Sequence, residues 1–125
     1  MSYIVDGKAL SFMKDSDIYS LFGNAIDNAV EYLLTVDESK RFIRINIKEI
    51  GKNLSIHIEN YFEGNVTFKD GLPLTTKSDK NYHGFGMVSM RELVSSYEGD
   101  LFVKVKDGLF LLDILIPLLG KGEQR

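Results

Sequence analysis

The 125 residues are enough for one domain with one core, and 44% apolar and 26% charged residues at a formal net charge of −3, with no block of like charge, exclude the basic face that nucleic acid requires. The absence of cysteine excludes a disulfide framework or a thiolate metal site, and two histidines, His57 and His83, leave any zinc site leaning on carboxylates. No apolar run approaches the roughly 20 residues of a membrane span, since the longest, LFLLDILIPLL (109–119), is broken by Asp113 and Pro117; the N-terminus also lacks the basic-then-apolar pattern of a signal peptide, so the expectation is a soluble, cytoplasmic domain.

Residues 3–12, YIVDGKALSF, read as two short strands around an Asp6-Gly7 turn, because that dipeptide favours a tight hairpin. Asp15 or Ser16 is then placed to cap a helix and Asp17 lies in its first turn. Ile18, Phe22, Ala25, Ala29 and Leu33 recur at helical spacing to about residue 34. RFIRINIKEI (41–50) and LSIHIEN (54–60) alternate in strand fashion on either side of a turn at Gly51-Lys52-Asn53, an antiparallel hairpin. Residues 61–83 carry Gly64, Gly71 and Pro73 and no sustained period, and a loop of about 20 residues is too long for a compact domain unless it covers a ligand. GFGMVSMRELVSSYEGD (84–100) reads as a second helix with Val88, Leu93 and Val94 inward and Gly99 as its stop. DLFVKVKDGLFLLDILIP (100–117) closes the chain as a hairpin around Asp107-Gly108. The order ββ-α-ββ-loop-α-ββ predicts an α+β, two-layer sandwich: a mixed, mostly antiparallel sheet with helices on one face.

Two segments carry candidate chemistry. In LFGNAIDNAVEY (21–32), Asn24 and Asn28 interrupt an otherwise good helix one turn apart, although asparagine is a poor helix former. At about 100° per residue they fall together, roughly 90–140° from the centre of the apolar stripe, with Asp17 and Glu31 on the same flank. An amide there can serve a hard cation such as Mg²⁺ as a neutral oxygen ligand; a solvated flank is the plainer explanation. In HGFGM (83–87), Gly84 and Gly86 let the backbone approach a ligand closely at a helix N-terminus, where unpaired N–H groups favour phosphate. Glycines at such a junction are also common as a mere turn. Thr75, Thr76 and Lys77 add hydroxyls and a cation able to close on phosphates.

In this order the segments resemble the ATP-binding domain of the gyrase, heat-shock chaperone, histidine kinase and mismatch-repair ATPase superfamily, the Bergerat fold, over nearly all of residues 1–125 as one domain. LFGNAIDNAVEY is similar to its N box, and TTK…HGFGM to its lid (about 61–83) and second glycine box. The hairpin-like YIVDG, a strand ending in Asn, GLPLTTK and HGFGM most resemble sensor histidine kinases of the peptide-pheromone quorum-sensing type. The resemblance implies that Asn28 binds Mg²⁺, and that Asn24 stands where hydrolytic members carry a glutamate. It implies that Gly84 and Gly86 admit the phosphates, with Thr76, Lys77 and His83 beside the nucleotide. An amide at position 24 cannot take a proton from water, which favours phosphoryl transfer to a protein group over hydrolysis.

One departure stands out. Asn60, followed by Tyr61-Phe62-Glu63-Gly64, occupies the place of the adenine-binding aspartate and its glycine box. An amide can pair with adenine but gives up charge assistance of about 1 kcal/mol, so modest ATP affinity is expected. His57, in a strand, and His83, at the lid's end, lack the dimerising-helix context of a phosphoacceptor. The resemblance therefore implies a catalytic domain only. Its partners are ATP with Mg²⁺, a histidine-bearing dimerisation domain absent from this chain and a downstream response regulator; the parent protein is anchored in the cell membrane. An anti-sigma-factor-type protein-serine kinase and a degenerate, non-catalytic nucleotide-binding module are the alternatives.

Overall fold

A computed structural model describes residues 2–5, 10–73 and 84–118. In chain order the elements are β1 (Ser2–Val5), α1 (Asp15–Leu33), a single 3-10 turn (Glu38–Lys40), β2 (Ile43–Ile50), β3 (Asn53–Tyr61), β4 (Phe68–Lys69), β5 (Leu72–Pro73), α2 (Gly84–Ser96), β6 (Asp100–Lys106) and β7 (Leu109–Pro117). Five strands form one sheet in the order β1-β2-β3-β7-β6, and β4 and β5 pair separately. Every pairing in the large sheet is antiparallel except β1 with β2.

The two-layer architecture follows from strand alternation. Along β3, Leu54, Ile56, Ile58 and Asn60 are buried, while Ser55, His57 and Glu59 on the other face are partly exposed. Register lines Ile56 up with Ile47 and Ile114, and Ile58 with Ile45 and Leu112, so one face presents rows of branched apolar side chains. α1 lays Leu21, Ala25, Ala29 and Leu33 on that face, and α2 adds Met87, Met90 and Val94. The two alanines in α1's buried stripe keep its contact surface narrow and let the backbone lie near the sheet. Cutting a wholly enclosed side chain such as Ile56 back to alanine costs about 2–5 kcal/mol. The α+β sandwich predicted from the sequence is the observed one.

Several local expectations are corrected. Residues 3–12 do not form a hairpin: β1 pairs in parallel with β2, Ser2 opposite Arg44 through Val5 opposite Ile47. A parallel pair needs a crossover, and α1 supplies it. Leu10–Met13 form a turn, closed by Met13 N–H donating to Leu10 O at 3.0 Å, and spend their apolar side chains on the core. The cap of α1 is Lys14, not Asp15 or Ser16, and it makes no side-chain capping bond. Tyr97 acts instead from outside the helix: its hydroxyl accepts from Lys14 N–H at 3.1 Å and donates to Asp17 Oδ2 at 2.6 Å. Val88 is exposed, because the helical period inward from Gly84 selects Met87, Met90 and Val94. The segment expected as a featureless loop contains the β4–β5 hairpin, turned through Asp70 (φ 55°) and Gly71 (φ 82°) and anchored by buried Leu72. α2 stops at Ser96, before Gly99, and the left-handed residue is Glu98 (φ 65°); Gly99 instead permits close approach to β7, where a methyl group would lie 2.6 Å from Leu115 O. The Asp107-Gly108 turn has both residues left-handed (φ 54° and 76°), as its dipeptide predicts. Among the described residues no helix is long and apolar enough to cross a membrane.

Candidate functional site

α1 has two working sides. Its buried stripe faces the sheet, Asn24 and Asn28 beside that stripe are both half-buried, and Asn28 meets α2. The contact with α2 is close. A methyl group on buried Gly86 would lie 3.4 Å from Asn28 Nδ2 and 3.7 Å from its Oδ1. Asn28 therefore stands against the first turn of α2, which begins at Gly84 and carries no acidic residue. That turn offers unpaired N–H groups and partial positive charge, a setting for an anion. Beside it the Asn28 carbonyl offers a neutral oxygen to a hard cation.

Four residues further along α1, about 6 Å along its axis, Tyr32 opens the second part of the site. Its hydroxyl accepts from Glu63 N–H at 3.1 Å, and its ring lies 4.6 Å from that of Phe62. Phe62 in turn packs edge-on against Phe110 at 5.6 Å. Phe110 is the cross-strand partner of Asn60, which is 4% exposed on the helix-facing side of β3. Asn60 is the one buried amide or charged side chain among the described residues, and its Nδ2 donates to Tyr61 O at 2.7 Å. A buried amide with Phe110 across the ladder, itself packed on Phe62, suits a flat heterocycle with hydrogen-bonding edges.

The structure thus brings Asn28 and Gly86 together at the α1–α2 contact and puts Asn60 on the helix-facing side of β3, while Asn24 is half-buried one turn before Asn28. Thr75, Thr76, Lys77 and His83 lie outside the described residues, and Gly84 is described only as the start of α2. Tyr32, Phe62 and Phe110 were missed from sequence. Tyr32 was legible as the residue one turn after Asn28, but Phe110 meets Asn60 only through the β3–β7 register.

His57 is on the opposite face of the sheet from Asn60. There its Nδ1 lies 2.6 Å from Asp113 Oδ1 and its Nε2 2.7 Å from Glu59 Oε1, and Glu59 also accepts from Arg44 at 2.6 Å. A separate cavity of about 460 Å³, lined by Asp70, Arg91, Ser95, Asp100 and Lys104 among others, runs along the β6 edge and touches none of the predicted site residues.

Among solved structures, the chain resembles the histidine kinase AdeS of Acinetobacter baumannii (TM-score 0.57, 15% identity, 84% of this chain and 47% of that one). It also resembles the catalytic domain of histidine kinase ThkA (TM-score 0.61, 16% identity, 82% and 66%). A third likeness is to the histidine kinase domain of the blue-light activated kinase EL346 from Erythrobacter litoralis (TM-score 0.59, 18% identity, 82% and 43%). The chain spans less than two thirds of each. No curated protein matches it. Residues 13–117, which hold every element from α1 to β7, match the GHKL domain, and the chain belongs to that family.

Proposed function

We propose that this chain binds ATP with Mg²⁺ and is the catalytic domain of a two-component sensor histidine kinase, passing the γ-phosphoryl group to a histidine on a dimerisation domain outside this chain. GHKL membership supports ATP as the ligand, and the histidine kinase neighbours support the reaction. The observation that carries the reading is the Asn28 amide set against Gly86 at the start of α2. Asn60, with Tyr32 and Phe110 nearby, receives the adenine; the α2 N-terminus receives phosphate; Asn28 holds Mg²⁺ through its side-chain oxygen. Among the described residues no three acidic or histidine side chains form a metal cage, so the ion's other oxygens come from phosphates and water. When bound, Mg²⁺ neutralises phosphate charge. Asn24, an amide, orients groups without taking a proton, which suits transfer to a protein acceptor. Thr76, Lys77 and His83 supply a hydroxyl, a cation and an imidazole for the phosphates. The parent is read as a membrane-anchored quorum-sensing kinase with a response regulator downstream.

A second reading, a nucleotide-binding module without catalysis, draws on one observation: Asn60-Tyr61-Phe62-Glu63-Gly64 stands where the family carries its aspartate and glycine box. The serine-kinase alternative has no such support. Calorimetry with ATP, with and without Mg²⁺, tests the ligand. Asn28→Ala should weaken Mg²⁺-ATP binding about tenfold or more while leaving Mg²⁺-free ATP nearly unchanged. Equal Mg²⁺-ATP affinity in that variant removes the metal role. Acid-labile phosphate on an added acceptor-helix fragment separates the kinase from the inert module.

A further inference from the structure

Phe62 follows the last strand residue of β3, yet its backbone continues the ladder: Phe62 N–H donates to Gly108 O at 2.9 Å. By the two-residue period of a strand, residue 62 points to the same side as Asn60, into the helix layer. The ring meets Tyr32 at 4.6 Å, tilted 48°, and Phe110 at 5.6 Å, at 68°. Its seat is shaped by Gly64, where a methyl group would come within 2.8 Å of Phe62 Cζ. The neighbouring backbone is held on both sides, by Gly108 O and by the Tyr32 hydroxyl that accepts from Glu63 N–H. With the backbone fixed at both points, any displacement of the ring has to come from its own side-chain torsions.

Phe62 packs against Phe110, the cross-strand partner of Asn60, so its ring lies on the same side of the sheet as the amide that the proposed function gives to the base. We propose that Phe62 is a built-in competitor for the base: its ring fills the aromatic slot between Tyr32 and Phe110 and rotates out when a purine stacks there. This rests on the nucleotide-binding reading above and adds to it a residue that sets affinity for the base rather than for the phosphates. A seated ring taxes binding by the fraction of time the slot is open: open one tenth of the time, it weakens the apparent affinity about tenfold.

The test is calorimetric titration of wild type, Phe62→Ala and Gly64→Ala with Mg²⁺-ATP, adenosine and inorganic triphosphate, each chain first checked for a cooperative melt. Phe62→Ala removes the ring; Gly64→Ala keeps it but pushes it from its seat. Both should bind ATP and adenosine about three- to tenfold more tightly than wild type, with triphosphate unchanged. If Phe62→Ala fails to fold, Gly64→Ala carries the same expectation. Wild-type ATP binding with no gain, or a loss, for adenosine in the variants overturns the competitor role and leaves the nucleotide reading standing. No ATP or adenosine binding by any of the three chains overturns both.

Discussion

At the scale of single residues, Gly86 separates stability from function. It sits inside α2 without a left-handed backbone, so alanine fits its conformation, and helix propensity alone favours Gly86→Ala by up to about 1 kcal/mol. The added methyl group, however, enters the space beside the Asn28 amide, 3.4 Å from Nδ2. Gly86→Ala should therefore melt at the wild-type temperature or above it while binding Mg²⁺-ATP several-fold more weakly. Calorimetry beside a thermal melt checks this, and undiminished binding would remove Gly86 from the site. Asn24 and Asn28 stood out in the sequence because helical spacing is local, and Gly86 because a glycine pair opened a helix. Asn60 was singled out only by the family resemblance. Phe62 and Phe110 were not, because what makes them neighbours is the pairing of β3 with β7, some fifty residues apart in the chain, which no local period encodes.

At the scale of elements, the outer face of the sheet carries a charge chain that ties β2, β3 and β7 together: Arg44 to Glu59 to His57 to Asp113. Each His57 ring nitrogen faces a carboxylate, so both bonds are made only by the imidazolium. Burial lowers the His57 pKa, but the hydrogen bonds to Glu59 and Asp113 outweigh it and hold it above the usual histidine value. The hydrogen bond from His57 likewise holds Glu59 below the usual carboxylate range, against the pull of burial. A raised folded-state value means that the histidine contribution is complete below the unfolded pKa, near 6.5, and is lost as pH rises through the folded one. The Glu59 contribution is lost in the other direction, as pH falls through its depressed value. Urea unfolding should thus show stability falling as pH rises from about 6.5 through the raised folded-state value of His57, with the loss kept small by solvent screening of this partly exposed pair. His57→Gln should flatten that limb; an unchanged alkaline slope in the variant would mean that the imidazolium contributes nothing. The strands themselves were legible: alternation and the Gly51 and Asp107-Gly108 turns marked two hairpins correctly. The 3–12 hairpin was misread because a turn dipeptide cannot reveal that its strand pairs in parallel with a distant one.

At the scale of the whole molecule, the site depends on how α1 and α2 are locked over the sheet, and the lock lies at their far ends. Tyr97, just past α2 and 7% exposed, accepts from Lys14 N–H and donates to Asp17 Oδ2, closing the uncapped start of α1. Phe12 packs edge-on against its ring at 5.7 Å. Tyr97→Phe keeps the ring and its packing but removes both bonds, leaving the Lys14 N–H and the Asp17 carboxylate to find water in a part-buried pocket. Bonds to charged groups contribute about 1.5–3 kcal/mol, so the melting temperature should drop by about 5–10 °C for a chain of this size. The Asn28–Gly86 contact lies three turns of α1 away from that lock, and the helices still share their apolar face, Ala25 and Ala29 against the sheet and Met87 and Met90 beside them. Well below its melting point, Tyr97→Phe should therefore bind Mg²⁺-ATP with wild-type affinity. Weakened binding in a fully folded variant would mean that the Tyr97 lock sets the registration of the two helices at the site as well as their stability.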